Sequence, residues 1–281
     1  MGAEDLGEKY GAAAFFDVDG TLVWHDLSRA SEEGAEAVFA KPRPTDGVYE
    51  AFRRMRAAGH RTFICTGRHL PFIPDTLLAL EPDGVIAGAG AYALVGDTVV
   101  RDAVIEEGLL LETAHRFIDA GIDLTFEGGD CNLEVRPSGA PASFRGSELV
   151  HDLAGVRESV ARHRYCKFCV SGVTLERLEP LRAFYEPHYT VCDLQYDTYE
   201  FSLRGVDKGT AIDVVLACLG HGREDTYAFG DSENDLSMAS HVETFVAMGN
   251  ALPNVKARAD YVTDSAADDG VVTGLEHFGL I

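Results

Sequence analysis

The stretch "AAAFFDVDGTLVW", residues 12–24, places two carboxylates, Asp17 and Asp19, directly after five apolar residues. A short apolar run of this kind is typical of a buried strand. Asp is a poor strand former, and two like charges one residue apart repel each other. The pattern therefore predicts a strand that ends in a turn, where the two carboxylates hold a metal or carry out a chemical step.

The composition and charge limit the possible partners. The chain has 281 residues, enough for one large domain or two smaller ones, and its net charge is −22 with a pI near 4.7. Nonspecific binding to nucleic acid or to an anionic membrane requires a basic surface. We therefore expect no nucleic-acid partner and no membrane partner. The charge says little about small substrates, because a local pocket can be basic on an acidic protein.

The sequence has no secretory or membrane-spanning pattern. The segment "MGAEDLGEKYG" has no basic region followed by an apolar core, and no apolar run approaches the roughly 18 residues that a membrane helix needs. We expect a cytoplasmic protein, a monomer or weak homodimer, although no pattern fixes the oligomeric state. The six cysteines are then expected to be reduced thiols.

Cys166 and Cys169 form a C-x-x-C pattern that raises the question of a zinc site. The segment "RYCKFCVSGV" alternates like a strand, which would direct the two thiols to opposite faces. We therefore favour separate thiols over a shared metal.

Apolar strands and helices alternate at both ends of the chain. The predicted strands are 12–16, 61–66, 83–88, 226–230, 243–249 and 260–263. The predicted helices are 45–60, 74–80, 207–220, 232–240, 254–259 and 268–278. Alternation of this length is typical of parallel strands joined by right-handed crossovers. The predicted fold class is α/β, a doubly wound parallel Rossmann-like sheet with an inserted α+β domain.

The middle of the chain predicts a different architecture. It contains a hairpin with its turn at Gly96–Asp97, two predicted helices at 106–121 and 174–187, and predicted strands at 131–135, 165–172, 189–195 and 199–203. We assign 1–88 and 205–281 to a core domain and 89–204 to the inserted domain. The glycines near both junctions are plausible hinges, because glycine accepts a change of backbone conformation at little steric cost.

Polar residues follow three predicted core strands. They are Asp17, Asp19 and Thr21 after the first, Thr66, Gly67 and Arg68 after the second, and Asp231, Asn234 and Asp235 after a third. Ligands of open α/β sheets bind at the carboxyl ends of the strands, so these groups are expected to share one edge. Lys208, at the start of a helix, adds a positive charge.

This set of groups favours phosphoryl chemistry. Neighbouring carboxylates repel each other unless a cation holds them, and oxygen ligands favour Mg²⁺. Lysine, threonine and main-chain N–H groups can bind phosphate oxygens. An Asp nucleophile would form an aspartyl-phosphate, while a second carboxylate two residues later would serve as acid and base.

Other nucleotide and metal motifs do not match. An EF-hand loop that began at Asp17 would need Gly and Glu where Leu22 and Ser28 stand. "GVDKGT" (205–210) has the lysine before the glycine, unlike a P-loop, and "GAGAYA" (88–93) only imitates a dinucleotide fingerprint.

Taken together, four segments closely resemble the motifs of the haloacid dehalogenase-like superfamily of phosphatases. They are "DVDGTL" (17–22), "ICTGR" (64–68), Lys208 in "VDKGTA" and "GDSENDLSM" (230–238). The insert is similar in size and position to the large α/β cap of the Cof-type branch. The segments "AMGNA" (247–251) and "VTDSAADDGV" (262–271) also resemble the tail of that branch.

The resemblance implies a role for each matching residue. Asp17 would be the nucleophile and a Mg²⁺ ligand, and Asp19 the acid and base that also offers its main-chain carbonyl to the metal. Thr66, Gly67, Lys208 and Asn234 would bind the phosphate, with Thr66 and Lys208 also steadying the transition state. Asp231 would complete the metal site, and Asp235 would be a supporting acid that orients water or Lys208. Many relatives have Asn where this chain has Ala89.

The resemblance implies a Mg²⁺-dependent phosphatase whose mobile cap excludes water and selects a small phosphate monoester. A phosphomutase of the same fold and a non-catalytic phosphometabolite-binding protein are the alternatives. Arg68 would reach the phosphate or pair with a surface acid, and Trp24 and His25 could line the entrance. Candidate residues for reading the leaving group are Glu134, Arg136, Tyr196 and Tyr199.

Overall fold

The computed structural model describes residues 11–25, 43–144, 146–194 and 197–281. The first ten residues and Tyr196, on which two of the sequence-based expectations depend, lie outside these ranges. The strands are β1 (Ala13–Asp17), β2 (Arg61–Cys65), β3 (Gly84–Ala87), β4 (Tyr92–Val95), β5 (Thr98–Asp102), β6 (Leu124–Gly128), β7 (Asn132–Val135), β8 (Glu148–Val150), β9 (Tyr165–Ser171), β10 (Tyr189–Asp193), β11 (Thr198–Leu203), β12 (Thr226–Gly230), β13 (Thr244–Ala247) and β14 (Tyr261–Val262). The α-helices are α1 (Asp46–Ala57), α2 (Asp75–Leu78), α3 (Glu107–Asp119), α4 (Leu153–Val160), α5 (Leu175–Leu178), α6 (Arg182–Tyr185), α7 (Lys208–Leu219), α8 (Pro253–Lys256) and α9 (Gly270–His277).

Eight strands form one sheet in the order β14-β13-β12-β1-β2-β3-β4-β5. β1 lies between β12 and β2 and pairs in parallel with both, and all five of its residues are buried. A strand covered on both faces can be apolar without alternation, which is the pattern of residues 12–16. The predicted parallel α/β sheet is confirmed.

Aromatic side chains fix β1 against its neighbours. The ring of Phe15 stacks on Phe63 of β2 with centroids 4.9 Å apart, and Phe16 lies 5.0 Å from both Phe52 of α1 and Phe229 of β12. Such pairs bury large apolar areas and lock the register of the strands. This packing holds the carboxyl end of β1 in a fixed position.

A second sheet, in the order β10-β11-β9-β6-β7-β8, belongs to a separate compact unit. Of the described residues, this unit comprises those in 69–71 and 102–207, and the first unit comprises those up to 68 and those in 72–101 and 208–281. Apolar side chains from β6, β7, β9 and β11 form the core of the second unit together with α3 and α4. The predicted separate α+β architecture of the insert is confirmed.

The hairpin of β4 and β5 differs from the prediction, which placed it in the inserted domain. β4 pairs antiparallel with β3 and extends the eight-stranded sheet. Gly84 allows this pairing, because a Cβ at that position would lie 2.2 Å from the main-chain oxygen of Leu94. The compact first unit therefore continues to Arg101 rather than stopping at residue 88.

Cys65, Cys131, Cys166, Cys169 and Cys218 are free thiols, as expected. Cys166 contacts His69, and Cys169 donates its S–H to Glu127 at 3.1 Å. The register between β6 and β9 shifts at Glu127 and Gly128, so the strict alternation expected for residues 164–173 is interrupted there. Among the described residues, no helix is both long and apolar enough to span a bilayer.

Candidate active site

Three adjacent strands of the first unit deliver the predicted polar groups to one edge of the sheet. Asp17 is the last residue of β1, Thr66 follows β2, and Asp231 follows β12. Because β2, β1 and β12 are parallel neighbours, their carboxyl ends meet at the same edge. The shared edge therefore follows from strand order, as the sequence predicted.

Lys208 is the centre of this group. Its side chain is buried, and Nζ lies 2.5 Å from Oδ1 of Asp17, 2.7 Å from Oδ1 of Asp235 and 3.5 Å from Oδ1 of Asn234. Burial opposes the charged form of Lys208, but the two carboxylates outweigh it and raise the pKa of the ammonium above its usual value. The site therefore holds a permanent positive charge beside Asp17.

Asp235 organises the turn after β12. Its Oδ2 accepts hydrogen bonds from the main-chain N–H groups of Asp231 and Ser232, both at 3.0 Å. Its other oxygen accepts from Lys208. Asp235 therefore fixes both the turn and the lysine, which fits the predicted supporting role.

The turn after β1 approaches Asp231 closely at Gly20. A Cβ there would lie 2.4 Å from Oδ2 of Asp231, and the φ angle of Gly20, +96°, is one that other residues rarely adopt. The hydroxyl of Thr21 donates to Asp231 at 3.3 Å. Burial and the charge of Asp235 raise the pKa of Asp231 to about 7. Gly20 is thus needed for the two acidic turns to meet.

The acidic cluster has the composition of a magnesium site. Oxygens of Asp17, Asp231 and Asp235 lie within 4.8 Å of one another. Burial, Asp235 and Asp231 together raise the pKa of Asp17 well above its usual range, while Lys208 opposes this. Since Asp235 is already bound by Lys208 and two N–H groups, Asp17 and Asp231 are the carboxylates suited to a cation. A divalent cation would stabilise their ionised forms.

Thr66 and Gly67 form the turn after β2. The N–H of Thr66 donates to the carbonyl of Ile86 at 2.8 Å, and its hydroxyl accepts from the N–H of Arg68 at 3.1 Å. Ala89, which stands where relatives of the resembled branch have Asn, donates its N–H to the carbonyl of Thr66 at 3.0 Å. Its φ of 54° is one that Asn accepts more readily than Ala.

Asp19 is held by two residues whose roles the sequence left open. Arg68 donates from Nε and Nη2 to its two carboxylate oxygens at 3.1 and 2.8 Å, and Nε2 of His25 lies 2.7 Å from Oδ1. Burial would raise the pKa of Asp19, but these partners lower it to about 2. Arg68 therefore pairs with the predicted acid and base rather than with a surface acid, and the neighbouring Trp24 is exposed.

Asn250 is a residue of this region to which the sequence analysis gave no role. Its Nδ2 donates to the carbonyl of Gly20 at 2.8 Å, and its Oδ1 accepts from the N–H of Ala266 at 2.8 Å. It ties the turn after β1 to the C-terminal part of the chain. Asn250 belongs to the segment "AMGNA", whose resemblance to the branch could have drawn attention to it. The sequence gave no indication that its side chain would bind the turn after β1.

The candidate residues for the leaving group occupy varied surroundings in the second unit. Glu134 is fully buried and accepts from Arg136 at 2.5 Å and from the N–H groups of Ser143 and Phe144. Tyr199 belongs to the apolar core of the unit. These contacts indicate that Glu134 and Tyr199 stabilise the second unit, and Tyr196 lies outside the described residues.

The family model of the haloacid dehalogenase-like hydrolases matches residues 14–275. The chain belongs to this family. It is 37% identical over 271 residues to a phosphoglycolate phosphatase of Natronomonas pharaonis, with 92% of this chain and 94% of the relative covered. Among solved structures, the HAD subclass IIB sugar phosphatase BT4131 is similar with a TM-score of 0.77 and 27% identity, covering 96% of this chain and 100% of the other.

BT1666 of Bacteroides thetaiotaomicron, a phosphatase of the same superfamily, shares the fold with a TM-score of 0.81 at 21% identity, over 100% of this chain and 98% of the other. This haloacid dehalogenase-like hydrolase is accordingly a phosphatase, a phosphoric monoester hydrolase. Phosphatases of the superfamily generally use Mg²⁺, and Asp17 and Asp231 of the acidic cluster offer carboxylate ligands for it.

Proposed function

We propose that this hydrolase cleaves a small phosphate monoester, a sugar phosphate or similar phosphometabolite, through a phosphorylated Asp17 and in dependence on Mg²⁺. The strongest support is the position of Lys208, whose Nζ lies 2.5 Å from Asp17 and 2.7 Å from Asp235. It places a buried positive charge beside the proposed nucleophile, where negative charge of a phosphoryl group would accumulate. The similarity to the sugar phosphatase BT4131 supports the substrate class.

In the first half of the reaction, a carboxylate oxygen of Asp17 attacks phosphorus. The bond from phosphorus to the ester oxygen breaks, and that oxygen leaves with the electron pair and takes a proton from Asp19. Lys208, Thr66, Gly67 and Asn234 are proposed to bind the non-bridging oxygens. Mg²⁺ held by Asp17, Asp231 and the main-chain carbonyl of Asp19 would neutralise the charge of these oxygens.

In the second half, water attacks the phosphorus of the aspartyl-phosphate. Asp19, now ionised, takes a proton from the water as the bond from phosphorus to Asp17 breaks. Inorganic phosphate is released and the carboxylate of Asp17 is regenerated. Loss of its proton in the first half leaves Asp19 able to accept this one, and Arg68 and His25 orient its carboxylate.

Three further proposals come from the sequence. The inserted domain, residues 89–204 by the sequence-based boundaries, is proposed to select the leaving group. The protein is proposed to be cytoplasmic and to act as a monomer or weak homodimer.

A phosphate-release screen tests the proposed function. Wild-type protein is assayed with Mg²⁺ against a panel of phosphometabolites, with Asp17→Asn as the blank. We expect release of inorganic phosphate that disappears in Asp17→Asn while circular dichroism stays unchanged, and that a chelator abolishes until Mg²⁺ is restored. Transfer of the phosphoryl group to a second sugar instead of water would identify a mutase. Binding without turnover by any substrate would identify a non-catalytic protein.

A further inference from the structure

A second group of potential metal ligands lies in the second unit, apart from the acidic cluster of Asp17. It consists of Cys131, Glu148 and His163, whose ligand atoms all lie within 4.8 Å of one another. Cys131 directly precedes β7, Glu148 begins β8, and His163 lies in the turn between α4 and β9. Three separate segments therefore bring a thiol, a carboxylate and an imidazole together.

We propose that Cys131, Glu148 and His163 bind one Zn²⁺ or a similar transition-metal ion. A thiolate and an imidazole are ligands of zinc-like ions and not of Mg²⁺. With the thiol deprotonated, the thiolate and the carboxylate carry the two negative charges that neutralise the ion. Three protein ligands leave a fourth tetrahedral position for water.

The orientation of His163 supports this assignment. Its Nδ1 lies 2.8 Å from Oδ2 of Asp130, and its Nε2 lies 3.3 Å from Oε1 of Glu148. Metal-binding histidines commonly have one ring nitrogen hydrogen-bonded to a carboxylate, which fixes the ring and leaves the other nitrogen for the metal. Asp130 would hold His163 in this way, with Nε2 directed toward Glu148.

The distances are close to those of a tetrahedral site. Bonds of about 2.0–2.3 Å to the metal imply ligand atoms about 3.5 Å apart. The separation of His163 and Glu148, 3.3 Å, already matches this value. Cys131 Sγ lies within 4.8 Å of a ring nitrogen of His163 and of a carboxylate oxygen of Glu148.

Arg162 would compete with the proposed ion for Glu148. Its Nη2 donates to Oε1 of Glu148 at 2.8 Å, while Ser159 donates to Oε2 at 2.6 Å. The Arg162 side chain is 56% exposed, so it can move aside without disturbing the core. A cation that shares a ligand oxygen weakens metal binding, and its removal is therefore expected to strengthen it.

The test is a Co²⁺ titration of the full-length chain in excess Mg²⁺, which keeps the acidic cluster occupied. We expect one equivalent of Co²⁺ per chain to produce a near-ultraviolet thiolate-to-metal charge-transfer band, displaced by equimolar Zn²⁺. Cys131→Ser is expected to abolish the band, and His163→Ala to weaken binding at least tenfold. Cys218→Ser, which alters an exposed thiol elsewhere, is the matched control and keeps the band.

Two further variants make the result decisive. Asp17→Asn is expected to keep the band, which separates this site from the acidic cluster and from the proposed function. Arg162→Ala is expected to bind Co²⁺ more tightly than the wild type. The proposal is overturned by the absence of a band in the wild type, by its persistence in Cys131→Ser, or by its loss in Cys218→Ser.

Discussion

At the scale of single residues, the surroundings of Asp19 are specific to this chain. Arg68 binds both carboxylate oxygens and His25 contacts one of them at 2.7 Å. His25 is buried, so its ring has little freedom to move. The two residues fix the direction of the Asp19 carboxyl group, whose protonated form is proposed to give its proton to the leaving oxygen.

If His25 positions Asp19 for proton transfer, the effect of His25→Ala depends on the leaving group. A sugar alkoxide needs protonation as it departs, whereas p-nitrophenolate leaves readily without it. We expect kcat/KM to fall on the order of 10²-fold for a sugar phosphate and to change little for p-nitrophenyl phosphate. Steady-state kinetics with both substrates measures the difference.

The conservative variant His25→Gln serves as the control, because an amide can still contact Asp19. It is expected to recover part of the activity on the sugar phosphate. Equal losses on both substrates in His25→Ala would instead mean that His25 only stabilises the turn after β1.

His69 predicts a particular dependence of stability on pH. It is buried, and burial together with the charge of Lys167 lowers its pKa to about 4, while Glu127 opposes this. Between this value and the usual 6.5, the unfolded chain binds a proton that the native chain does not. Stability should therefore decrease as the pH falls from 6.5 to about 4, by about 3 kcal/mol in total.

Urea unfolding of His69→Gln across this pH range measures how much His69 contributes to the pH dependence of stability. The variant should lose less stability than the wild type between pH 6.5 and 4. His115→Gln, which removes an exposed histidine of α3, is the control and should follow the wild type. Parallel curves for His69→Gln and wild type would contradict the assignment.

At the scale of elements, the placement of Lys208 depends on how closely α7 packs against the turns at 233–240. A Cβ on Gly209 would lie 2.3 Å from the main-chain oxygen of Ser237 and 2.4 Å from the ring of His241. The main-chain oxygen cannot move away as a flexible side chain could. The start of the helix is therefore held close to this turn only because residue 209 is glycine.

Gly209→Ala is expected to push the start of α7 outward. The cost should be about 1–3 kcal/mol of stability, with a fall in kcat/KM on the order of 10²-fold as Lys208 moves from Asp17. Urea unfolding and steady-state kinetics measure the two effects. Gly129→Ala is the control, because a Cβ there meets nothing within 4 Å. Full activity in Gly209→Ala would show that Lys208 does not depend on this packing.

The elements of the first unit follow the sequence prediction closely, and those of the second follow it less well. β6, β8 and α4 were not predicted from the sequence. It predicted one helix over 174–187, where the structure has α5, a short 3₁₀ turn and α6. Pro180 lies in that turn, and because it has no main-chain N–H it cannot donate the hydrogen bond that a continuing helix requires. Short strands such as β8 are stabilised by pairing with a distant partner, and a local pattern does not reveal this.

At the scale of the whole molecule, the second unit contains a complete apolar core. All members of this core lie between Ile105 and Phe201. Phe168 is central, with ring centroids 4.4 Å from Phe201 and 5.3 Å from Phe117. A unit with its own core is expected to fold independently of the rest of the chain.

The fragment 102–207 is therefore expected to fold by itself. Circular dichroism should give a native-like spectrum with a cooperative thermal transition. Phe168→Ala in the same fragment should abolish the transition, because such a truncation costs about 3–5 kcal/mol. A fragment that lacks a cooperative transition would mean that the second unit depends on the first.

Short-range patterns were enough to predict the parallel sheet, the separate α+β unit and the groups at the carboxyl ends of the strands. These patterns are an apolar strand, the polar residues directly after it, and a capped helix. Only the folded structure showed that Arg68 and His25 hold Asp19, that β4 and β5 join the first sheet, and that Cys131 lies near His163. Local propensity carries no information about which distant residues these segments meet, because their positions are set by how whole strands and helices pack.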